Sequence, residues 1–279
     1  MQENNSSQTA LATAYLRASH QIIDFGPKVL VDPIALTILG PDAEERIRGS
    51  KDKYLSPEVK ALRAHVVLRS RYTEDRLESS IERGICQYIL VGAGFDTFAF
   101  RQPLWASGLR IIEVDHPDTQ RLKQSKISNA GIAIPENVAF VGINFEQESL
   151  EEGLVRAGVC TDKPTFFSWL GVTMYLTEAA IDATLRCMAA FPGKSEAVIT
   201  FRQQPPAQST ASHGLAERVS EAGEPFVSHF TCESFKDKLL TAGFNEVLFL
   251  TQELSAPFFL ENESSLSNPA QVNIASAIV

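Results

Sequence analysis

The sequence predicts an α/β fold, a doubly wound and mainly parallel sheet preceded by a helical cap. Three observations predict it. Seven short apolar runs lie at 88–91, 110–115, 137–143, 164–169, 195–201, 246–251 and 272–279. Most of them alternate with helix-like segments of 10–15 residues, the pattern of βαβ units. The first run, YILV, leads straight into Gly92-Ala93-Gly94, as a buried parallel strand does when it turns sharply at its carboxyl end.

The elements follow in order. An amphipathic helix is predicted over 9–25, with Leu11, Tyr15, Ala18 and Ile22 at helical spacing, and Gly26-Pro27 breaks it. Asp32-Pro33 reads as N-cap and first turn of a short helix to 39. Ser56-Pro57 opens a long helix that Gly84 stops. Residues 1–84 thus form an N-terminal helical cap or lid, and 85–279 a Rossmann-like core.

Past the glycine turn, helices are predicted at 97–105, 118–131, 146–157, 177–191 and 231–242, the last ending at Gly243. A Gln- and Pro-rich linker at 203–210 precedes a weaker helix at 213–222. A loop passing Pro257 and Pro269 leads to the last strand.

Composition narrows the function classes. The chain has 279 residues with 44% hydrophobic and 21% charged side chains, enough for a sizeable core. A net charge of −9 argues against a nucleic-acid partner, which requires a basic face. Cys86, Cys160, Cys187 and Cys232 form no C-x-x-C pair and have no His at metal spacing, so no metal site is expected. Scattered thiols, a polar start without a basic or apolar leader segment, and no membrane-length apolar run predict a cytoplasmic protein.

The glycine turn is the first functional signal. Glycines let the backbone approach a ligand closely, and a following helix would present unpaired N–H groups to it. A dinucleotide fingerprint requires a third glycine, where this chain has Thr97. That disfavours a nicotinamide cofactor and suits one without a pyrophosphate, such as S-adenosylmethionine. About twenty residues on, Glu113 and Asp115 end a strand on one face. Either carboxylate could accept hydrogen bonds from ribose hydroxyls. Asp115 also suits the N-cap position before Pro117.

The ordered motifs VGAGFDTFAFR, IEVDHP, INFEQESL, FFSWLGVTMYLT and GEPFVSHFTCESF, with TALATAYLRA, VDPIA and LRSRYTEDRL before them, resemble the leucine carboxyl methyltransferase family. The closest resemblance is to its bacterial branch of polyketide-type O-methyltransferases. It implies a class I S-adenosylmethionine-dependent fold, seven-stranded and mainly parallel with the last strand antiparallel, under a helical lid. By motif, it places Arg69, with Arg71 as the fallback, on the methionine carboxylate, Gly92 and Gly94 beside the methionine moiety and Asp115 on the ribose. The chain departs from the family at Asn144, where Asp is usual at the adenine amine, and at Leu170, where Glu is usual. An amide carbonyl can still accept from that amine, and Phe145 can pack on the base.

The expected activity is O-methylation of a carboxylate or hydroxyl on a small, polyketide-type acceptor. The alternative is a non-methylating relative that holds the cofactor structurally and serves another reaction or a partner protein. Tyr15, Tyr175 and Arg202 are the candidate acceptor contacts, with Arg17 as a further wall residue. No general base is assigned. Tyr175 and His229 are the candidates, and an ionised carboxylate acceptor needs neither.

Overall fold

The computed structural model describes residues 6–145, 147–203, 226–260 and 265–279. Five helices precede the first strand: α1 (Ser6–Ile22), α2 (Ile34–Thr37), α3 (Ala43–Gly49), α4 (Lys51–Leu55) and α5 (Pro57–Ile81). Seven strands follow: β1 (Gln87–Val91), β2 (Arg110–Asp115), β3 (Val138–Gly142), β4 (Thr165–Trp169), β5 (Glu196–Thr200), β6 (Glu246–Leu250) and β7 (Ile274–Ile278). They make one sheet in the order β3-β2-β1-β4-β5-β7-β6. The first five are parallel, and β7 runs antiparallel between β5 and β6.

The order places β1 and β4 side by side with connections leaving in opposite directions, so a crevice opens at their carboxyl ends. All five residues of β1 and of β4 are buried, which accounts for their largely apolar sequences. Alternation assigns the two faces. Ile89 and Val91 join a cluster with Leu154 of α7 (Leu150–Arg156), Leu185 of α8 (Glu178–Ala189) and Leu239 of α9 (Cys232–Ala242). Tyr88 and Leu90 face Ala64, Leu68 and Leu77 of α5. The capping helix is therefore pinned to the sheet by core packing. It is also pinned by charge: buried Glu196 on β5 accepts from Arg76 Nε at 2.6 Å and from Arg83.

Four local expectations are corrected. The predicted helix at 97–105 is two 3-10 turns, Phe98–Phe100 and Leu104–Ala106. Thr97 Oγ1 donates to Asp32 at 2.6 Å and the Phe98 N–H to Asp96 at 2.8 Å, and Pro103 divides the segment. Long-range hydrogen bonds thus outweigh helical periodicity. Asp32 is not a side-chain cap, since its carboxylate serves Thr97 and lies near Arg17 and Arg101. Before Pro117, His116 and not Asp115 is the N-cap: His116 Nδ1 accepts from the Asp118 N–H at 3.3 Å, starting α6 (Pro117–Asn129).

The helix expected at 146–157 begins only at Leu150, where Ser149 and Glu152 form a capping box. Helices α3 and α4 escaped the sequence reading. So did α10 (Gln252–Ser255) and α11 (Pro257–Leu260), in the stretch read as a loop. The predicted helix at 213–222 and all but the first residue of the 203–210 linker lie outside the described residues.

Candidate functional site

A cavity opens at the carboxyl ends of β1, β2 and β4, walled by the glycine turn, Asp115, the segment after β4, and Thr9, Ala10, Thr13 and Arg17 of α1. The turn requires its glycines. Gly92 has φ +70° and Gly94 φ +50°, in the region that L side chains rarely adopt. A Cβ on Gly92 would stand 2.4 Å from Val172 Cγ2, and one on Gly94 3.3 Å from the Ala10 Cβ. The lid helix thus rests on the turn itself.

The turn's N–H groups are already committed. Gly92 and Ala93 donate to the Val114 carbonyl at 2.8 and 3.0 Å. Gly94 donates to Asp115 Oδ2 at 2.5 Å. With only a 3-10 turn following, the helix-dipole cradle expected there does not form. What the glycines supply is close backbone approach.

Of the two carboxylates on β2, the structure separates the roles. Glu113 is fully buried against Lys123 Nζ at 2.6 Å, and burial pushes its carboxyl up to about 7. Asp115 reaches the cavity. Its two oxygens accept from the Gly94 and His116 N–H groups. Burial raises its carboxyl, and these two donors offset part of the rise. Each oxygen keeps further acceptor capacity, which suits a pair of neighbouring hydroxyls.

Arg69, on α5, faces the same cavity. Among the described residues no carboxylate forms an ion pair with it. Burial, with the neighbouring Arg17 charge, pushes its guanidinium down to about 10. Arg17 is better supplied: it donates to Asp96 Oδ2 at 3.3 Å and to the Phe95 carbonyl. Its Nε, also buried, has no hydrogen-bond partner among the described residues. Two cations against one cavity wall create a place for an anion such as a carboxylate.

At the other end the wall is apolar, with Ile143, Phe145, Val172 and Leu176. Asn144 itself is not on the wall. Its carbonyl accepts from the Gln147 and Glu148 N–H groups in the turn behind Phe145. Leu170 does line the cavity.

The expected acceptor contacts divide. Tyr15 is not on the wall. It packs in the cluster of α1–α4, because the helical period that turns Thr9, Thr13 and Arg17 inward turns Tyr15 away. Tyr175 lines the cavity and stacks on Phe226, with ring centroids 5.7 Å apart. The Arg202 guanidinium carbon lies 3.9 Å from the Phe226 centroid, and Arg202 Nε donates to His229 Nε2 at 3.2 Å. Arg202 and His229 are thus absent from the wall but joined to Tyr175 through Phe226. Sequence reading missed Phe226. The only signal was its place in GEPFVSHFT, three residues before the candidate His229.

The sheet order and the crevice chemistry define a class I methyltransferase-like α/β protein. In structure, the chain is similar to a DUF574 family protein from Streptomyces avermitilis, with a TM-score of 0.59 at 14% identity over 87% of this chain and 93% of that one. That likeness shows the fold. The model of the leucine carboxyl methyltransferase family matches residues 10–189. The chain belongs to the leucine carboxyl methyltransferase family. It is 29% identical to YktD of Bacillus subtilis (strain 168), assigned by name as an S-adenosyl-L-methionine-dependent methyltransferase, over 96% of each chain. A Parafrankia sp. protein assigned the same activity is 30% identical over 61% of this chain and 54% of its own length.

Proposed function

We propose that this chain is an S-adenosylmethionine-dependent O-methyltransferase acting on a carboxylate or hydroxyl of a small, polyketide-type acceptor. The observation that carries the reading is the presence, in one cavity, of the Arg69 guanidinium, which forms no ion pair among the described residues, and the Asp115 carboxylate beside the glycine turn. Opposite charges on the wall of one cavity suit a donor with a free carboxylate and a ribose diol. Arg69 would hold the carboxylate, Asp115 the hydroxyls, and Phe145 a face of the adenine. Gly92 and Gly94 leave room for the methionine portion. Residues 1–84 serve as lid and 85–279 as catalytic core, together one structural unit. Free cysteines at 86, 160, 187 and 232 suit a cytoplasmic setting.

When bound, the cofactor supplies a methyl carbon activated by a positive sulfur. The protein's share is then orientation and exclusion of water. Tyr175 and the apolar wall border the place for an acceptor oxygen. A carboxylate acceptor arrives ionised and needs no base. His229 is held by Arg202 away from the wall, so it is not positioned to take a proton from an acceptor in this cavity.

The test is methyl transfer from labelled donor to a panel of carboxylic acids and phenols. Alkaline lability then separates methyl esters from methyl ethers. Transfer to at least one acceptor is expected. Leu170 on the wall favours one other reading, a non-methylating relative, because it removes a polar contact the family usually offers the cofactor. Tight donor binding with no transfer across the panel would select that reading.

A further inference from the structure

We propose that Arg202 is the acceptor's anchor and that the acceptor class is an aromatic acid, its carboxylate on Arg202 and its ring against the Tyr175–Phe226 pair. The identity of the site rests on the methyltransferase reading above, whereas the chemistry of the anchor stands on its own geometry.

Arg202 follows β5, half-buried beside the cavity. Its Nε–H is taken by His229 Nε2 at 3.2 Å. Its terminal Nη edge faces no carboxylate within ion-pair distance among the described residues. Such an edge is a planar two-donor fork that matches a carboxylate in bidentate fashion. The acids of α8 are engaged elsewhere: Glu178 and Asp182 hold Lys238 at 3.1 and 2.7 Å.

His229 Nε2 accepts the Arg202 Nε–H, and burial and the Arg202 cation both push its imidazole down. Burial also pushes the Arg202 guanidinium down, and Tyr175 acts against that. In a chain of net charge −9, this is a local positive site with no ion-paired carboxylate among the described residues.

The aromatic half is equally specific. Arg202 lies over the Phe226 ring at 3.9 Å, and Tyr175 stacks on the same ring at 28° between planes. Tyr175 is also on the cavity wall and near enough to Arg69 for the two to interact electrostatically. The cluster therefore runs continuously from the cavity to Arg202. It is held in place by backbone ties. The Val227 N–H donates to the Met174 carbonyl at 2.8 Å, the Phe230 N–H to the Arg202 carbonyl at 2.9 Å, and Ser228 Oγ to the Leu176 carbonyl at 2.5 Å. A flat apolar surface ending in a preorganised cationic fork is complementary to an aryl carboxylate.

The experiment is calorimetric binding of 2-naphthoate and its neutral counterpart 2-naphthamide to the full chain saturated with S-adenosylhomocysteine, at pH 7. Naphthoate should bind at least about tenfold more tightly than the amide, a charge-assisted contact being the difference. Arg202→Gln should bring naphthoate down to the level of the amide and leave the amide and the S-adenosylhomocysteine affinity unchanged. Arg202→Lys should restore part of the gap. No preference for the acid, a preference that survives Arg202→Gln, or an equal loss for acid and amide would each overturn the proposal. The two readings separate cleanly. Methyl transfer without the acid preference removes the anchor alone, and the acid preference without any methyl transfer leaves the anchor and removes the activity.

Discussion

The Arg69 guanidinium lies directly over Gly171: a Cβ at position 171 would stand 2.6 Å from Nη1 and 3.1 Å from Cζ. Gly171 also has φ +75°, which costs a residue with a side chain roughly 1–2 kcal/mol. Gly171→Ala should therefore displace the guanidinium from the cavity wall. We expect donor affinity to fall at least about tenfold, close to the loss in Arg69→Met. Wild-type affinity in Gly171→Ala by calorimetry would show that this placement of Arg69 is not what binds the donor.

Asp115→Ala should weaken donor binding by at least about tenfold, since losing a charged acceptor is worth roughly 1.5–3 kcal/mol. It should also lower the melting temperature, because the same carboxylate holds the Gly94 and His116 N–H groups. Thermal unfolding without ligand measures the second effect separately from the first. A variant that loses affinity at unchanged melting temperature would contradict the structural part.

Asn144→Asp tests the adenine end. The resemblance to the family implies that restoring the carboxylate should tighten donor binding. The cavity wall passes through Ile143 and Phe145 and omits Asn144, so we expect the dissociation constant to stay within about twofold. Phe145→Ala, which removes wall surface, should cost more. Tightening beyond about fivefold in Asn144→Asp would return that side chain to the base.

Acid stability should carry the mark of His65. Its Nε2 lies 2.6 Å from the Val272 carbonyl, and burial with the nearby Arg69 charge holds the ring down at about 4. The folded state thus keeps His65 neutral while the unfolded chain protonates near 6.5. Stability from this group is complete above about 6.5 and is lost as pH falls through that value toward 4. The loss is at most about 3.5 kcal/mol by linkage, and less because the ring is only half-buried. In His65→Gln the decline of melting temperature between pH 6.5 and 4 should be shallower. An identical decline would assign it to other groups.

The sheet was legible because its signal is local. Runs as apolar as YILV, or as rich in aromatics as PTFFSW, occur when both faces are covered, and Gly92 and Gly94 mark the turn in plain text. Asp115 was legible by spacing, but its advantage over Glu113 was not. Lys123, ten residues beyond Glu113 and one face of α6 away, made that choice. The 3-10 turns after Phe95 were misread because Thr97 answers to Asp32, 65 residues earlier. Tyr15 was misplaced by choosing the wrong side of an amphipathic helix, which apolar periodicity alone does not orient. Phe226 joins Tyr175 across about fifty residues of chain, and no local pattern announces such a contact.

Asp115 also bears on how a chain of this kind can be altered. By holding the backbone after β1 and the backbone after β2 with its two oxygens, it sets the width of the gap between the two strand tips. Any substitution at that position therefore changes the scaffold together with the cavity wall. The cluster of Tyr175, Arg202, Phe226 and His229 has no share in that brace. Changes directed at the acceptor through Arg202, Phe226 or His229 leave the brace intact, whereas Tyr175 also lies beside Arg69 on the cavity wall.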